Sequence, residues 1–242
     1  MIVLFTDFGA DDIYVGQLKA ALLEHLSPGV AVVDLFHSVP RFAVRAGAHL
    51  LAALQGSFQP GAVFVAVVDP GVGTSRGAVA VHADDKWYVG PDNGLLSVVS
   101  ARATKSRASR IVWRPQALSA SFHGRDLVAP VGALIAESRL PADRMEAIEG
   151  LSVQFGAEDL SEVIYVDRYG NALTGLRAAL VAPTATLAVR GKRLSHARVF
   201  GEAPGGEAFW YENSIGLVEI AANRASAAEL LRIDVGDAVS VT

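Results

Sequence analysis

The sequence predicts an α/β N-terminal domain on a mostly parallel sheet, followed by a smaller β-rich domain. Three observations predict it. Over the first 157 of the 242 residues, short apolar runs alternate with stretches of helical periodicity, the pattern of a parallel sheet covered by helices. From residue 158 the texture changes to short apolar segments separated by glycines, which reads as β structure. The length itself allows one large or two unequal domains, at about 150 residues per domain, and the texture change sets them at 1–157 and 158–242.

Residues 2–6, 30–36 and 63–68 are compact apolar runs rich in Val, Ile, Leu and Phe and read as strands. Between them, residues 13–26 and 43–54 carry apolar side chains at helical spacing. They supply the crossovers that parallel strands require, giving a βαβαβ start. Residues 78–90 read as a hairpin turning at Asp84-Asp85, and residues 93–101 and 126–139 read as helices. Asp92 or Asn93 is the expected cap of the first of these. In the second part, residues 162–167, 185–189, 208–211 and 238–241 read as strands, and neither part contains an internal repeat.

Composition narrows the function classes. The formal net charge is −4, so no basic field is offered to nucleic acid or an anionic membrane. There is no cysteine, which removes disulfides and thiolate metal sites and makes the cytoplasm the expected compartment. Met1 leads directly into Ile-Val-Leu-Phe-Thr-Asp without a basic stretch, so no secretory signal is expected. The longest apolar run, residues 62–68, falls far short of the roughly 20 residues of a membrane helix. The hydrophobic share of 51% is somewhat above that of an average soluble domain and hints at contacts between copies.

In an open parallel sheet, ligands bind beyond the carboxyl ends of the strands. Asp7, His37 and Asp69 each follow a strand and are expected on one rim, although a carboxylate there also serves as a helix cap or turn former. In Asp69-Pro-Gly-Val-Gly-Thr-Ser-Arg76, two glycines let the backbone fold tightly and bring Arg76 back towards Asp69. A surface turn closed by an ion pair would use the same residues. Phe122-His-Gly-Arg-Asp126 places a histidine before a helix, as a base beside a ligand or as a structural group. Asp167-Arg-Tyr-Gly-Asn171 groups a carboxylate, a ring and an amide, which suits a purine and an amine or an Asx-type turn.

Taken in order, Thr6-Asp-Phe-Gly with Asp12 and Tyr14-Val-Gly16, then Val68-Asp-Pro-Gly-Val-Gly-Thr74 with Arg76, resemble the S-adenosylmethionine (SAM) hydrolase family, also called SAM hydroxide adenosyltransferase. Pro91-Asp-Asn-Gly-Leu-Leu96, Phe122-His-Gly-Arg-Asp126, Asp167 to Asn171, and Asn213-Ser-Ile-Gly216 with Glu219-Ile-Ala221 continue the resemblance through the chain. The family is similar to the SAM-dependent fluorinases and chlorinases. The resemblance implies a β-barrel-like C-terminal domain and a homotrimer whose substrate site lies at the subunit interface. It also implies that Asp69, Arg76 and His123 are a catalytic triad and that Asp7 holds the ribose hydroxyls. Asp167 is implied at the methionine ammonium, Asn171 and Ser214 as polar ligand contacts, and Phe42, Phe122 and Tyr169 as apolar walls. Asp12, Gly124 and Glu219 complete the expected substrate-binding set. Two positions depart from the pattern: Tyr169 stands where phenylalanine is common, and Ile215 stands where the fluorinases carry an arginine.

The implied reaction is hydrolysis of SAM to adenosine and methionine, with water displacing the neutral thioether from ribose C5'. Water is a weak nucleophile at neutral pH, so a base to take its proton and nearby positive charge are what the chemistry needs. Asp69 and His123 fit the first need and Arg76 the second. No metal or other cofactor is expected, because the sulfonium is already a good leaving group. The acidic set Asp7, Asp11, Asp12, Asp69 with His123 nevertheless has the composition of a metal site. Two rival readings remain. A SAM-dependent halogenase is disfavoured by Asp69, which would repel a halide, and by Gly124, which replaces the halogenase serine. A non-catalytic SAM or adenosine sensor would bind without turnover.

Overall fold

A computed structural model describes all 242 residues, Met1–Thr242. The chain forms two compact units, Met1–Ala52 with Ser57–Ala157, and Ala53–Gly56 with Glu158–Thr242.

The first unit is built on β1 (Ile2–Thr6), α1 (Ile13–Leu23), β2 (Val32–Phe36), α2 (Val44–Leu54), β3 (Val63–Val67), β4 (Ala78–Ala83), β5 (Lys86–Pro91), α3 (Ser97–Arg102), β6 (Ser106–Ile111), α4 (Ala129–Ala136) and β7 (Met145–Ile148). Its seven strands lie in the order β2-β1-β3-β5-β4-β6-β7. The pairs on the β2 side, as far as β5, are parallel, and those from β5 to β7 are antiparallel. Five strands therefore share one direction, and β4 and β7 oppose it.

Strands β1 and β3 are buried on both faces, which is why they read as unbroken apolar runs instead of alternating ones. Their side chains join those of α1 and α4 in one core, including Leu4, Leu18, Leu22, Val65, Leu127 and Val131. The hairpin β4–β5 turns at Asp84 and Asp85, both with positive φ (43° and 65°), as a two-residue primed turn requires. Asp84 also accepts from the Thr104 and Lys105 amides at 3.0 and 3.1 Å. The expected helix over residues 126–139 is instead a π-helical turn, Gly124–Val128, followed by α4. The Ala129 amide reaches back five residues to the Gly124 carbonyl. Pro130 has no N–H to offer the turn before it, and its ring crowds the carbonyl there, which favours the wider coil.

The second unit comprises β8 (Leu160–Val166), β9 (Ala172–Arg177), β10 (Leu187–Val189), β11 (Lys192–Leu194), β12 (Ala208–Glu212), β13 (Leu217–Ala222), α5 (Ala227–Leu231) and β14 (Val239–Val241). They form two antiparallel sheets, ordered β12-β13-β9-β8 and β11-β10-β14. Isolated bridges, Glu162 with Ala238 and His196 with Trp210, join residues of the two sheets' edges. Trp210, Val218, Ile220 and Leu187 are at the centre of its core. No helix of the chain is long and apolar enough to cross a membrane.

Candidate active site

The strand order puts a topological switch between β1 and β3: the chain leaves β1 for β2 on one side, and β5 lies on the other side of β3. The crevice beyond the carboxyl ends of such a pair is where open α/β sheets bind ligands. Thr6 pairs with Val67 across the two strands, and the Asp7 amide donates to the Val67 carbonyl at 3.3 Å. Asp7 and Asp69 therefore emerge together.

The Asp69 loop is fixed by its own turns. The Asn93 side-chain amide donates to the Val68 carbonyl at 2.8 Å, anchoring the backbone immediately before Asp69. Val72 N–H returns to the Asp69 carbonyl, and the Thr74 hydroxyl donates to the Gly71 carbonyl at 2.7 Å. Gly73 has φ +82°, and a Cβ there would lie 2.6 Å from the Ala120 carbonyl oxygen. Only glycine permits both the turn and this approach to the segment that leads into His123. The loop then brings Arg76 back, and its guanidinium donates to Asp69 Oδ2 and to the Gly77 carbonyl.

This ion pair is largely buried, with side-chain exposures of 12% for Arg76 and 7% for Asp69. Asp69 Oδ1 and Arg76 Nε are buried without a hydrogen-bond partner. Burial pushes the Asp69 carboxyl above its usual value, against the Arg76 charge, the Gly71 amide and His123. Burial likewise lowers the Arg76 guanidinium, opposed by Asp69. Asp7 is raised by burial and, in addition, by the negative charge of Asp69, while its own amide favours the anion. The Asp69 charge thus makes Asp7 easier to protonate.

His123 stands immediately before the π turn, close enough to Asp69 for its charge to favour the Asp69 anion. Phe122, the expected wall, belongs to a triangle of edge-to-face rings with Phe8 at 5.5 Å and Tyr14 at 5.3 Å. Gly124 lies against Val67, Phe8 and Phe122, where an added Cβ would come within 3.3 Å of Val67 Cγ1. Asp126 anchors the turn, accepting from the Ser119 amide at 2.8 Å and from Arg125. Arg125 also reaches Gln17 of α1 at 3.0 Å.

Five expected residues of the second unit, Asp167, Tyr169, Asn171, Ser214 and Glu219, line one cavity of about 840 Å³ together with Phe200, Tyr211, Asn213 and Arg224. Asp167 accepts from the Tyr169 and Asn171 amides and from the Asn171 side chain at 2.8 to 2.9 Å. The Asx turn and the cavity-lining cluster are therefore the same structure. Glu219 accepts from Tyr211 Oη at 2.7 Å and from Asn213 Nδ2 at 2.9 Å, and Asn213 Oδ1 in turn receives the Ile215 and Leu217 amides. Burial raises the Glu219 carboxyl, and Asp167 adds to the rise against those two hydrogen bonds.

Other expectations fall elsewhere. Asp12 caps α1, accepting from the Ile13 amide at 2.7 Å. Phe42 sits in a turn before α2 with φ 63° and 75% of its surface exposed. Asp92 and Asn93 do not cap α3: Leu96 holds the cap position, Asp92 binds the Ser152 amide and hydroxyl, and Asn93 serves Val68. Asp7, Asp11, Asp12, Asp69 and His123 include no three side chains gathered so as to hold a metal ion. His37 lies at the rim but is turned inward, bonded to Thr6 and Asp34. Sequence reasoning missed Phe8, Phe200 and Tyr211. The alternation Ala-Phe-Trp-Tyr-Glu in β12 carried a signal for Tyr211, on the same face as Phe209.

Comparison with known proteins places this geometry. The family model described as SAM hydroxide adenosyltransferase N-terminal domain matches residues 2–145, and the corresponding C-terminal domain model matches residues 161–240. The chain belongs to the SAM hydroxide adenosyltransferase family. The first match carries Asp7, Asp69, Arg76 and His123, and the second carries the residues from Asp167 to Glu219. A family relative named (R)-S-adenosyl-L-methionine hydrolase, from Thermus thermophilus, is 39% identical over 97% of this chain and 96% of its own. A crystal structure of an uncharacterized conserved protein from Thermotoga maritima superposes with a TM-score of 0.90 at 32% identity, covering 100% of both chains. More distantly, a fluorinase from Actinoplanes sp. is 27% identical over 56% of this chain and 54% of its own.

Proposed function

We propose that this protein hydrolyses S-adenosyl-L-methionine to adenosine and L-methionine, and that its substrate is the (R) form named for its relatives. The observation that carries the reading is Asp69: a buried carboxylate at the switch crevice, held at one oxygen by Arg76, with Oδ1 left without a partner. A carboxylate so held serves as the proton acceptor for a water in the crevice. The water oxygen bonds to ribose C5' as the C5'–sulfur bond breaks, and the bonding pair passes to sulfur and cancels the sulfonium charge. The water proton goes to the Asp69–His123 pair and then to solvent. Arg76 keeps Asp69 ionised despite its burial and contributes positive charge next to the developing hydroxide.

Asp7 accepts from the ribose hydroxyls, and Asp167 takes the methionine ammonium. Asn171 and Ser214 supply polar contacts. Phe42, Phe122 and Tyr169 exclude water, while Gly124 leaves room beside the Phe8–Phe122 contact. Glu219 acts through Tyr211 and Asn213, and Asp12 through the start of α1. The working unit is a homotrimer with the site at its subunit interface, a reading supported by the exposure of Phe42 and Tyr169, 75% and 69%, on separate units. The second unit is read as barrel-like on the strength of the two edge bridges. The cytoplasm is the proposed compartment, since a chain without cysteine needs no oxidising one.

The test is turnover after exhaustive chelation, with adenosine and methionine followed by chromatography for each sulfonium epimer. Release of both products, lost in Asp69→Ala, Arg76→Ala and His123→Ala, supports the reading. Bound but unconsumed substrate would replace it with the sensor.

A further inference from the structure

Behind the Asp7 rim runs a chain of side chains that the proposed chemistry does not use. Lys19 of α1 donates to Asp34 of β2 at 2.9 Å. Asp34 Oδ1 lies 3.2 Å from His37 Nε2, and His37 Nδ1 lies 2.8 Å from the hydroxyl of Thr6, the residue before Asp7. Thr6 and His37 are both buried. The backbone doubles the connection: Gly9 N–H donates to the His37 carbonyl at 2.7 Å, and Val39 N–H donates to the Thr6 carbonyl at 3.2 Å.

Thr6 Oγ1 receives the Phe8 amide at 3.3 Å and makes its second hydrogen bond to His37 Nδ1. A carboxylate only accepts, so Nε2 carries the ring proton towards Asp34. Burial pushes the Asp34 carboxyl up, but the hydrogen bonds from Lys19 and His37 hold it below its usual value, as an anion that can take that proton. Thr6 and Phe8 flank Asp7, and the Phe8 amide donates to the Thr6 hydroxyl across it, so the Asp7 side chain is aimed from a backbone that cannot rotate without breaking this contact.

We propose that His37 is a positioning residue for ribose recognition: through Thr6 it sets the direction in which Asp7 meets the ribose hydroxyls. The inference rests on the reading of Asp7 given above. It requires that loss of the Thr6–His37 bond should act on hydroxyl recognition and not on adenosine binding as a whole.

The measurement is the dissociation constant, by titration calorimetry on the full-length protein, for adenosine and for 2',3'-dideoxyadenosine. A charged acceptor for the hydroxyls predicts a preference of about tenfold or more for adenosine in the unmutated protein. Thr6→Val keeps the shape but removes the hydroxyl, and His37→Leu removes the acceptor. Both are expected to cut the preference several-fold while leaving dideoxyadenosine affinity in place. His37→Asn keeps an acceptor near the Nδ1 position and is expected to restore most of the preference, which a merely structural role for the ring would not do. Unaltered preference in folded Thr6→Val overturns this proposal alone. Absence of any preference in the unmutated protein overturns both this proposal and the Asp7 reading.

Discussion

Asp69 and Arg76 form a buried ion pair in which the guanidinium occupies one carboxylate oxygen and leaves the other, Oδ1, without a hydrogen-bond partner. One carboxylate oxygen is thereby held against a positive charge, and the other makes no hydrogen bond.

The first prediction concerns pH. The Asp69 carboxyl is raised above its usual value of 3.8 by burial, with Arg76 opposing. Below the raised value it is protonated and cannot accept a proton from water, so kcat should fall on the acid side at a pH above 3.8. Asp69→Asn is expected to lower kcat by about 10²–10⁴-fold, to abolish that acid limb, and to leave substrate affinity nearly intact. A pH–rate profile of both proteins checks it.

Arg76→Met should be unstable for a different reason. It leaves the Asp69 charge buried and unpaired, which costs about 3–5 kcal/mol, or a Tm decrease on the order of 10 °C for a chain of this size. Combining it with Asp69→Asn removes the stranded charge, so the double variant should recover much of the Tm and none of the activity. Scanning calorimetry beside an activity assay separates the two effects.

Gly73→Ala asks whether the loop must approach the segment before His123. The added methyl meets the Ala120 carbonyl oxygen at 2.6 Å and sits on a backbone of φ +82°. The cost is about 1–3 kcal/mol, together with a loss of kcat as Asp69 shifts. Gly77→Ala, where an added Cβ has open space, is the control and should change stability much less in parallel denaturant titrations.

Glu219 provides a stability test. Burial raises its carboxyl above the usual value of 4.5. The folded state therefore binds its proton more tightly than the unfolded chain. That contribution to stability is complete below 4.5 and is lost as pH rises through the folded value. Glu219→Gln does not titrate, so its stability relative to the unmutated protein should improve with pH over this window and then level off. Denaturant midpoints measured from pH 4 to 8 follow the difference.

Much of this was legible in the sequence where one residue had one task. The apolar runs of β1 and β3 are strands because both of their faces are buried, and Asp84-Asp85 is a turn because both residues accept positive φ. Legibility failed where a residue served a distant partner. Asn93 looks like a helix cap, but its oxygen receives the Leu95 amide just ahead of α3, and its side-chain NH2 is given to the Val68 carbonyl 25 positions away. Strand β6, Ser-Arg-Ala-Ser-Arg-Ile, escaped notice because its pattern is mostly polar and its pairing with β4 and β7 is set by the sheet. The π turn at Gly124–Val128 has no periodicity of its own to read. In the site, the return of Arg76 to Asp69 followed from two glycines at fixed spacing. The inward turn of His37 depended on Thr6 and Asp34 and was invisible to either motif alone.

The central claim is that water, activated at Asp69, attacks ribose C5'. Turnover of (R)-S-adenosyl-L-methionine in water enriched in heavy oxygen, with mass spectrometry of both products, tests it most directly. The account predicts one heavy oxygen in the 5'-hydroxyl of adenosine, none incorporated into methionine, and labelled adenosine formed about 10²–10⁴-fold more slowly by Asp69→Asn. Unlabelled adenosine, or label appearing at the same rate without Asp69, would contradict it.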